Sequence, residues 1–288
     1  MSPPGPLWTV VIPTYGRAAL LPDALGSVLA QGVDDLEVIV VDDASPEPVV
    51  LPAPFSSDPR IRLVRRQANG GPAAARNRGV AAGRGRLIAF LDDDDWWAPG
   101  WLEAAAARLA HTPVVVGWSR YHDEPGTPGR RLEGRVADVI LDDMTPHLGA
   151  TALRREAWIA FDERYRGSED VAWWLAVARR WPVTTVARHV NVIRRHAGVR
   201  AGHGAAARAA GSRRLLAEEA DYFSSHPVAA AFRWRRVGLQ ELAAGDRAAA
   251  RRAFVRSLRL RPGPGAARDL ARSLLPRRAV SPRAAGPR

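Results

Sequence analysis

Two apolar runs end in clustered carboxylates. Leu36–Val41 (LEVIVV) leads into Asp42 and Asp43, and Leu87–Leu91 (LIAFL) leads into Asp92, Asp93, Asp94 and Asp95. Both read as short strands. Further strands are predicted at Thr9–Pro13, Ile61–Arg65 and Pro113–Trp118, with helices at Leu20–Ala30, Pro72–Ala82 and Trp101–Leu109. Strands that alternate with helices imply an α/β fold with a mostly parallel sheet and flanking helices. Ligands of such sheets sit beyond the carboxyl ends of the strands, which is where both acidic clusters fall.

The rest of the chain is less regular. Tyr121–Pro146 carries turn formers and mixed charge and reads as a loop or ribbon. Glu169–Arg180 reads as a helix, and Val183–Ala187 and Asn191–His196 as edge strands. After Gly202 only helices are expected. Phe232–Leu260 resembles one tetratricopeptide hairpin turning at Gly245-Asp246, and a single such unit must pack on the main domain or on a partner. The expected organisation is an α/β domain over 1–201, a helical region over 202–275, and a basic, disordered tail over 276–288.

Composition narrows the classes. Of 288 residues, 47% are apolar and 25% charged, an ordinary globular balance. There is no cysteine, which excludes disulfides, thiolate catalysis and cysteine metal sites, and fits a cytoplasmic location. No signal peptide is read at the N-terminus, and no apolar run reaches the roughly 20 residues a bilayer span needs. A soluble or peripherally attached protein is expected. The net charge is +12 and every basic residue is arginine. From Arg251 to Arg288 there are eleven arginines against one acid, Asp269, so +10 of the +12 sits there. The remainder is nearly neutral, and nucleic acid is not an expected partner. The basic end suggests peripheral contact with an anionic membrane, at its inner face; a solvated tail explains the charge equally well.

Three segments carry chemistry. In FLDDDDWW (Phe90–Trp97) four successive carboxylates repel one another unless a cation sits among them, and oxygen ligands suit Mg²⁺ or Mn²⁺. An acidic run alone also fits a solvated turn; its place after an apolar strand favours a site. In VVDDAS (Val40–Ser45) a buried Asp is suited to accept hydrogen bonds from a base or a ribose, although a single such acid is often a turn residue. In GGPAAARNRG (Gly70–Gly79) a helix starts after two glycines, near Arg76, a plausible neighbour for a diphosphate. Trp96, Trp97, Trp173 and Trp174 fit either sugar-stacking walls or, more commonly, core packing. Of the histidines, His196 follows a strand directed back toward the expected site, where a phosphate or metal contact is one reading and a surface His the other.

Taken in order, VVIPTYGR, VIVVDDAS, GGPAAARNRG, LIAFLDDDDWWAPGWLE, TALRREAW and SEDVAWWLA resemble the family 2 glycosyltransferases, over about residues 8–196. The resemblance implies the GT-A fold of nucleotide-diphospho-sugar transferases, a nucleotide-diphosphate sugar donor, an acceptor that is a glycan or lipid-linked, a Mn²⁺ or Mg²⁺ cofactor, and inversion at the anomeric carbon. It places Pro13 and Tyr15 at the nucleotide base, Asp43 as the carboxylate that reads the base, and Asp93 near the ribose. It places Asp94 at the metal, with Asp92 and Asp95 flanking it, and Arg76 in the nucleotide-side loop; His196 stays a metal candidate by its position alone. Asp170 matches the catalytic base, with Glu169 beside it. Gly16 stands where the family often has Asn, and Ala44 where it often has Gly.

Two other classes compete. A sugar nucleotidyltransferase needs a Gly-rich basic first loop, and Pro13-Thr14-Tyr15-Gly16-Arg17 has one glycine. A non-catalytic interaction protein using the C-terminal helices has no need of the acid clusters. Processive relatives carry Gln-x-x-Arg-Trp and membrane helices; here Ala230 stands in the Gln position before Arg233-Trp234, so transfer of one sugar per binding event is expected.

Overall fold

The computed structural model describes residues 5–195 and 204–275. The strands are β1 (Trp8–Thr14), β2 (Leu36–Asp42), β3 (Ile61–Arg65), β4 (Leu87–Phe90), β5 (Trp96–Trp97), β6 (Val114–Tyr121), β7 (Thr151–Arg154) and β8 (Val183–Ile193). They form one sheet in the order β3-β2-β1-β4-β7-β6-β8-β5. Pairing is parallel across β3-β2-β1-β4 and between β6 and β8, and antiparallel at β4-β7, β7-β6 and β8-β5. The parallel character expected from the βα rhythm therefore holds in the first block, and β7 makes the whole sheet mixed.

Helices α1 (Leu21–Leu29), α2 (Gly71–Ala82), α3 (Trp101–Leu109) and α4 (Glu169–Arg180) cover the sheet. Alternate residues of each central strand face opposite layers, as the pleat requires. Val10, Ile12, Val38 and Val40 pack with α1 and α3, whereas Val11, Ile39 and Val41 pack with α2 and α4. Burial on both faces explains why these strands read as continuous apolar runs. Gly79 brings α2 against β1 so closely that a Cβ there would overlap the Val11 side chain.

The segment expected as two edge strands is the single strand β8. It is not an edge, because β5 pairs outside it. Its middle misleads a reading by pattern: Ala187 and Arg188 are exposed, yet pairing with β6 resumes beyond them at His189. Most of Tyr121–Pro146 is irregular, as expected, with one isolated bridge from Gly134 to Val183.

The C-terminal region comprises α5 (Ala205–Glu218), α6 (Ala220–Ser225), α7 (Pro227–Ala244), α8 (Arg247–Leu260) and α9 (Pro264–Leu274). The hairpin α7–α8 turns where expected. Gly245 takes the left-handed conformation (φ 92°), and the Asp246 side chain caps α8 by accepting from the Ala249 N–H at 2.8 Å. That arrangement combines a glycine stop with an Asp start. The hairpin packs on the α/β domain itself. Ala229, Ala230 and Val237 of α7 share one core with Trp173 and Trp174 of α4, and Arg233 donates to the Asp143 carbonyl at 3.0 Å. Among the described residues, no helix is long and apolar enough to cross a membrane.

Candidate active site

The strand ends set the site. β1 and β2 pair in register to Thr14 and Asp42, and the Leu91 N–H donates to the Val11 carbonyl at 3.1 Å. The Pro13–Arg17 loop, Asp43 and the Asp92–Asp95 turn therefore emerge side by side. They open on a cavity of about 420 Å³ whose far wall is the start of α4. Pro13, Tyr15, Asp43, Arg76, Asp92, Asp93, Glu169 and Asp170 all line it. Eight positions singled out from sequence thus converge on one space.

Asp43 is buried and highly coordinated. Its carboxylate accepts the Gly71 N–H at 2.7 Å and the Gly70 N–H at 3.1 Å, and pairs with Arg66. These two N–H groups belong to the N-terminus of α2, so this carboxylate caps that helix from a distance. The N–H groups expected near a diphosphate are thus already engaged. Asp42 is a turn residue: it accepts the Ser45 N–H at 2.8 Å and the Val49 N–H at 3.2 Å and pairs with Arg65. Between these loops Ala44 sits at φ 61°, a left-handed conformation that favours glycine. That is a physical reason for a glycine preference at this position.

The four-acid turn is compensated mainly by arginine. Arg17 pairs with Asp93 and, at 2.6 Å, with Asp94. Arg76, buried beneath the cavity, pairs with Asp92 at 2.8 Å and lies 3.9 Å from Glu169. Its Nε and Nη1 make no hydrogen bond to other described residues. Burial pushes the Asp93 carboxyl up to about 7, with Arg17 pulling the other way. Thr14 donates to Asp93 at 2.6 Å. Burial likewise pushes Asp95 up to about 7, against His147. For Asp92 burial is outweighed by Arg76 and His147, which hold its carboxyl below the usual range.

Asp92, Asp95 and His147 form a group able to hold a metal ion, with one ligand atom from each lying within 4.8 Å of the others. Of the residues expected at the metal, Asp95 belongs to this group, Asp94 pairs with Arg17, and His196 lies outside the described residues. A carboxylate–carboxylate–imidazole set suits Mn²⁺ or Mg²⁺ less exclusively than an all-oxygen set but fits a borderline divalent ion. The buried Asn191 bridges toward His147 at 3.2 Å and Asp95 at 3.4 Å, and its Oδ1 has no hydrogen-bond partner among the described residues. Through its Nδ2 the amide orients two of the three residues, Asp95 and His147.

His147 and Arg17 escape a reading by strand pattern. His147 precedes a short 3₁₀ turn, where its ring accepts the Gly149 N–H at 3.2 Å. A side chain on Gly149 would collide with Asn191, the atoms lying 2.6 Å apart. The available signal is a His-x-Gly before a short strand. Trp97, Trp173 and Trp174 are core residues, Trp96 packs under Arg194, and none of the four lines the cavity.

At the far wall Ser168 adopts φ 66° and starts α4. Glu169 and Asp170 follow. Burial, then the neighbouring Asp170, pushes the Glu169 carboxyl up to about 7, with Arg76 opposing. Backbone strain next to a displaced carboxyl is the kind of cost that functional sites retain.

The chain is similar in sequence or in fold to several known proteins. The succinoglycan biosynthesis protein ExoW of Rhizobium meliloti (strain 1021) is 44% identical over 116 residues, 38% of this chain and 36% of that protein. The structure of S. aureus TarS 1-349 in complex with UDP-GlcNAc superimposes with a TM-score of 0.64 at 18% identity, covering 92% of this chain and 88% of that one. The mannosyltransferase PcManGT of Pyrobaculum calidifontis, in complex with GDP-Man and Mn²⁺, does so at 0.57 with 22% identity, covering 93% and 79%. These likenesses establish the GT-A fold. The chain spans about a third to a half of the length of several curated relatives it matches. The model of "Glycosyl transferase family 2" matches residues 9–158, more than half of the sequence, and the chain belongs to that family.

Proposed function

We propose that the protein moves one sugar from a nucleotide-diphosphate donor to an acceptor hydroxyl, with inversion and with a divalent metal. The observation that carries this reading is the convergence of the β1 loop, Asp43, Arg76, Asp92 and Asp93 on one cavity that also holds the Glu169-Asp170 pair. Pro13 and Tyr15 contact the base, and Asp43 and Asp93 offer acceptors to the nucleoside. Arg76 lines the cavity and offers the diphosphate a charge-assisted contact, stronger than a neutral one.

Asp92, Asp95 and His147 would hold the ion, whose charge would offset that developing on the departing diphosphate. Asp170 accepts the proton of the acceptor hydroxyl as that oxygen attacks the anomeric carbon from the face opposite the leaving group. Glu169, whose carboxyl is pushed up to about 7 by burial and then by Asp170, stands beside it as the second acid of the pair. The Ala230-x-x-Arg233-Trp234 sequence departs from the processive signature, which supports single transfers. Contact with an anionic membrane surface is part of the same reading, since Arg251, Arg252, Arg256, Arg259, Arg261, Arg268 and Arg272 are all exposed.

The test is kinetic. Asp170→Asn is expected to cut turnover by ~10² or more while donor affinity stays near normal. Near-normal turnover in that variant removes Asp170 from the mechanism. A large loss confined to Glu169→Gln moves the role one residue back.

A further inference from the structure

The last helix is turned the wrong way for its sequence. Ala267, Leu270, Ala271 and Leu274 of α9 recur at i, i+3, i+4 and i+7, the apolar stripe that a surface helix ordinarily turns into its domain. The residues that α9 buries are instead Ala266, Asp269 and Ser273, at 6%, 5% and 0% exposure, while Leu274 stays 63% and Leu275 62% exposed. Ala267 and Ala271 are exposed too, and Leu270 is half-buried. None of these residues lines the donor cavity.

Polar contacts fix that rotation. Asp269 accepts from the Arg235 Nε of α7 at 2.7 Å, and the Ser273 hydroxyl donates to the Leu270 carbonyl at 2.6 Å. Arg247, the first residue of α8, donates to the carbonyls of Ser273 at 3.0 Å, of Arg272 at 3.3 Å and of Leu275, and so holds the last turn of α9. Gly265 lets the helix start over Arg235, because a Cβ there would lie 2.8 Å from that guanidinium. Burying a carboxylate is costly unless it is paired, and leaving leucines in water forfeits the gain from covering them. A helix built to bear both costs presents its leucines as a contact surface.

The charge around the stripe selects what covers it. Arg268 and Arg272 border it and are exposed, and between Arg251 and Leu275 the only acid is the buried Asp269. The sequence from Pro276 to Arg288 adds four arginines and no acid. A second copy seated on the same stripe about a two-fold axis would set these arginines against their own counterparts, with no acid to answer them. An anionic lipid surface answers them with phosphate and takes leucines at the acyl boundary, as for a basic amphipathic helix lying in the interface. We propose that α9 docks the protein on an anionic bilayer by inserting Leu270, Leu274 and Leu275 at the headgroup boundary, with Arg268 and Arg272 on the lipid phosphates. This rests on the membrane-contact reading above and goes beyond it: one face of one helix makes the contact, and charge alone does not hold it.

The experiment uses the full chain at low salt with vesicles of phosphatidylcholine, alone or mixed with an equal part of phosphatidylglycerol. Co-sedimentation compares wild type with the double variant Leu274→Ser/Leu275→Ser, which changes no charge. Wild type is expected to bind only the vesicles that contain phosphatidylglycerol, and the double variant to bind them at least about tenfold more weakly. Both side chains are exposed, so thermal unfolding of the double variant is expected to match wild type. The chain has no cysteine, so Leu274→Cys takes a polarity-sensitive fluorophore at that site alone, and its emission is expected to shift to the blue on phosphatidylglycerol vesicles. Sedimentation velocity without lipid is expected to show a monomer. Equal vesicle binding by the double variant, or an unshifted fluorophore, overturns the inference and leaves the contact to charge. A dimer that the double variant dissolves overturns it in favour of a second copy. No binding by wild type overturns the membrane-contact reading and this inference with it, and leaves sugar transfer to its own test.

Discussion

Replacing Glu169 by Gln should stabilise the protein at alkaline pH while damaging its function. The side chain is 12% exposed, borders Asp170 and lies 3.9 Å from Arg76. Burial followed by repulsion from Asp170 raises its carboxyl from 4.5 to about 7. At about 1.4 kcal/mol per tenfold change, that disfavours the ionised form by on the order of 3 kcal/mol. The folded carboxyl holds its proton more tightly than the unfolded one. Stability is therefore lost as pH rises from 4.5 toward 7, and the loss is complete above 7. An amide of the same shape never ionises. Wild type and Glu169→Gln should match near pH 4.5, and the variant should be more stable at about pH 8 by up to about 3 kcal/mol. For a chain of this size each kcal/mol is worth roughly 2–4 °C. Urea or thermal unfolding at about pH 5 and about pH 8, without metal, gives the comparison. A variant no more stable than wild type at the higher pH, or a difference independent of pH, refutes the claim that the site stores this cost.

Other expectations follow from named contacts. His147→Ala and Asp95→Asn should each weaken Mn²⁺ binding by at least tenfold, whereas Asp94→Asn, whose carboxylate faces Arg17, should weaken it less; calorimetric titration of Mn²⁺ ranks the three. Ala44→Gly should stabilise the fold by up to about 1 kcal/mol, because it relieves a left-handed backbone at φ 61°; chemical denaturation measures it. Anionic vesicles should sediment the full chain at low salt and release it at high salt, each arginine near the surface contributing about 1 kcal/mol. Absence of sedimentation at low salt leaves the basic end as a solvated surface.

How far the sequence alone reaches depends on what each element asks of its neighbours. Central strands β1, β2 and β4 are buried on both faces, and their apolar runs advertise that. β5 is two residues long and β7 four, too short to show a period, and β7 owes its place to pairing with both β4 and β6. β8 reads as broken because Arg188 and His189 interrupt its apolar pattern, although backbone pairing with β6 resumes at His189 itself. The carboxylates of the site are legible because acids at the ends of apolar strands are costly. Arg17 and His147 are not, because each reaches the site through a turn whose geometry is set by residues far away: Ser45, whose Oγ accepts the Gly16 N–H at 2.9 Å, and Asn191, which packs on Gly149. The arginines also change the physical reading of the four-acid turn. Its repulsion is relieved in part by Arg17 and Arg76, so the acidic run by itself does not require a metal.

The most direct test of sugar-nucleotide transfer is calorimetric binding of UDP, GDP, ADP and dTDP to the wild-type chain, each with Mn²⁺ and with EDTA. One of the four is expected to bind in the micromolar range with Mn²⁺ and at least tenfold more weakly with EDTA, and Arg76→Gln is expected to weaken that binding. If none of the four binds under either condition, the cavity is not a nucleotide-diphosphate site and the account fails; equal binding with EDTA contradicts the role given to Asp92, Asp95 and His147.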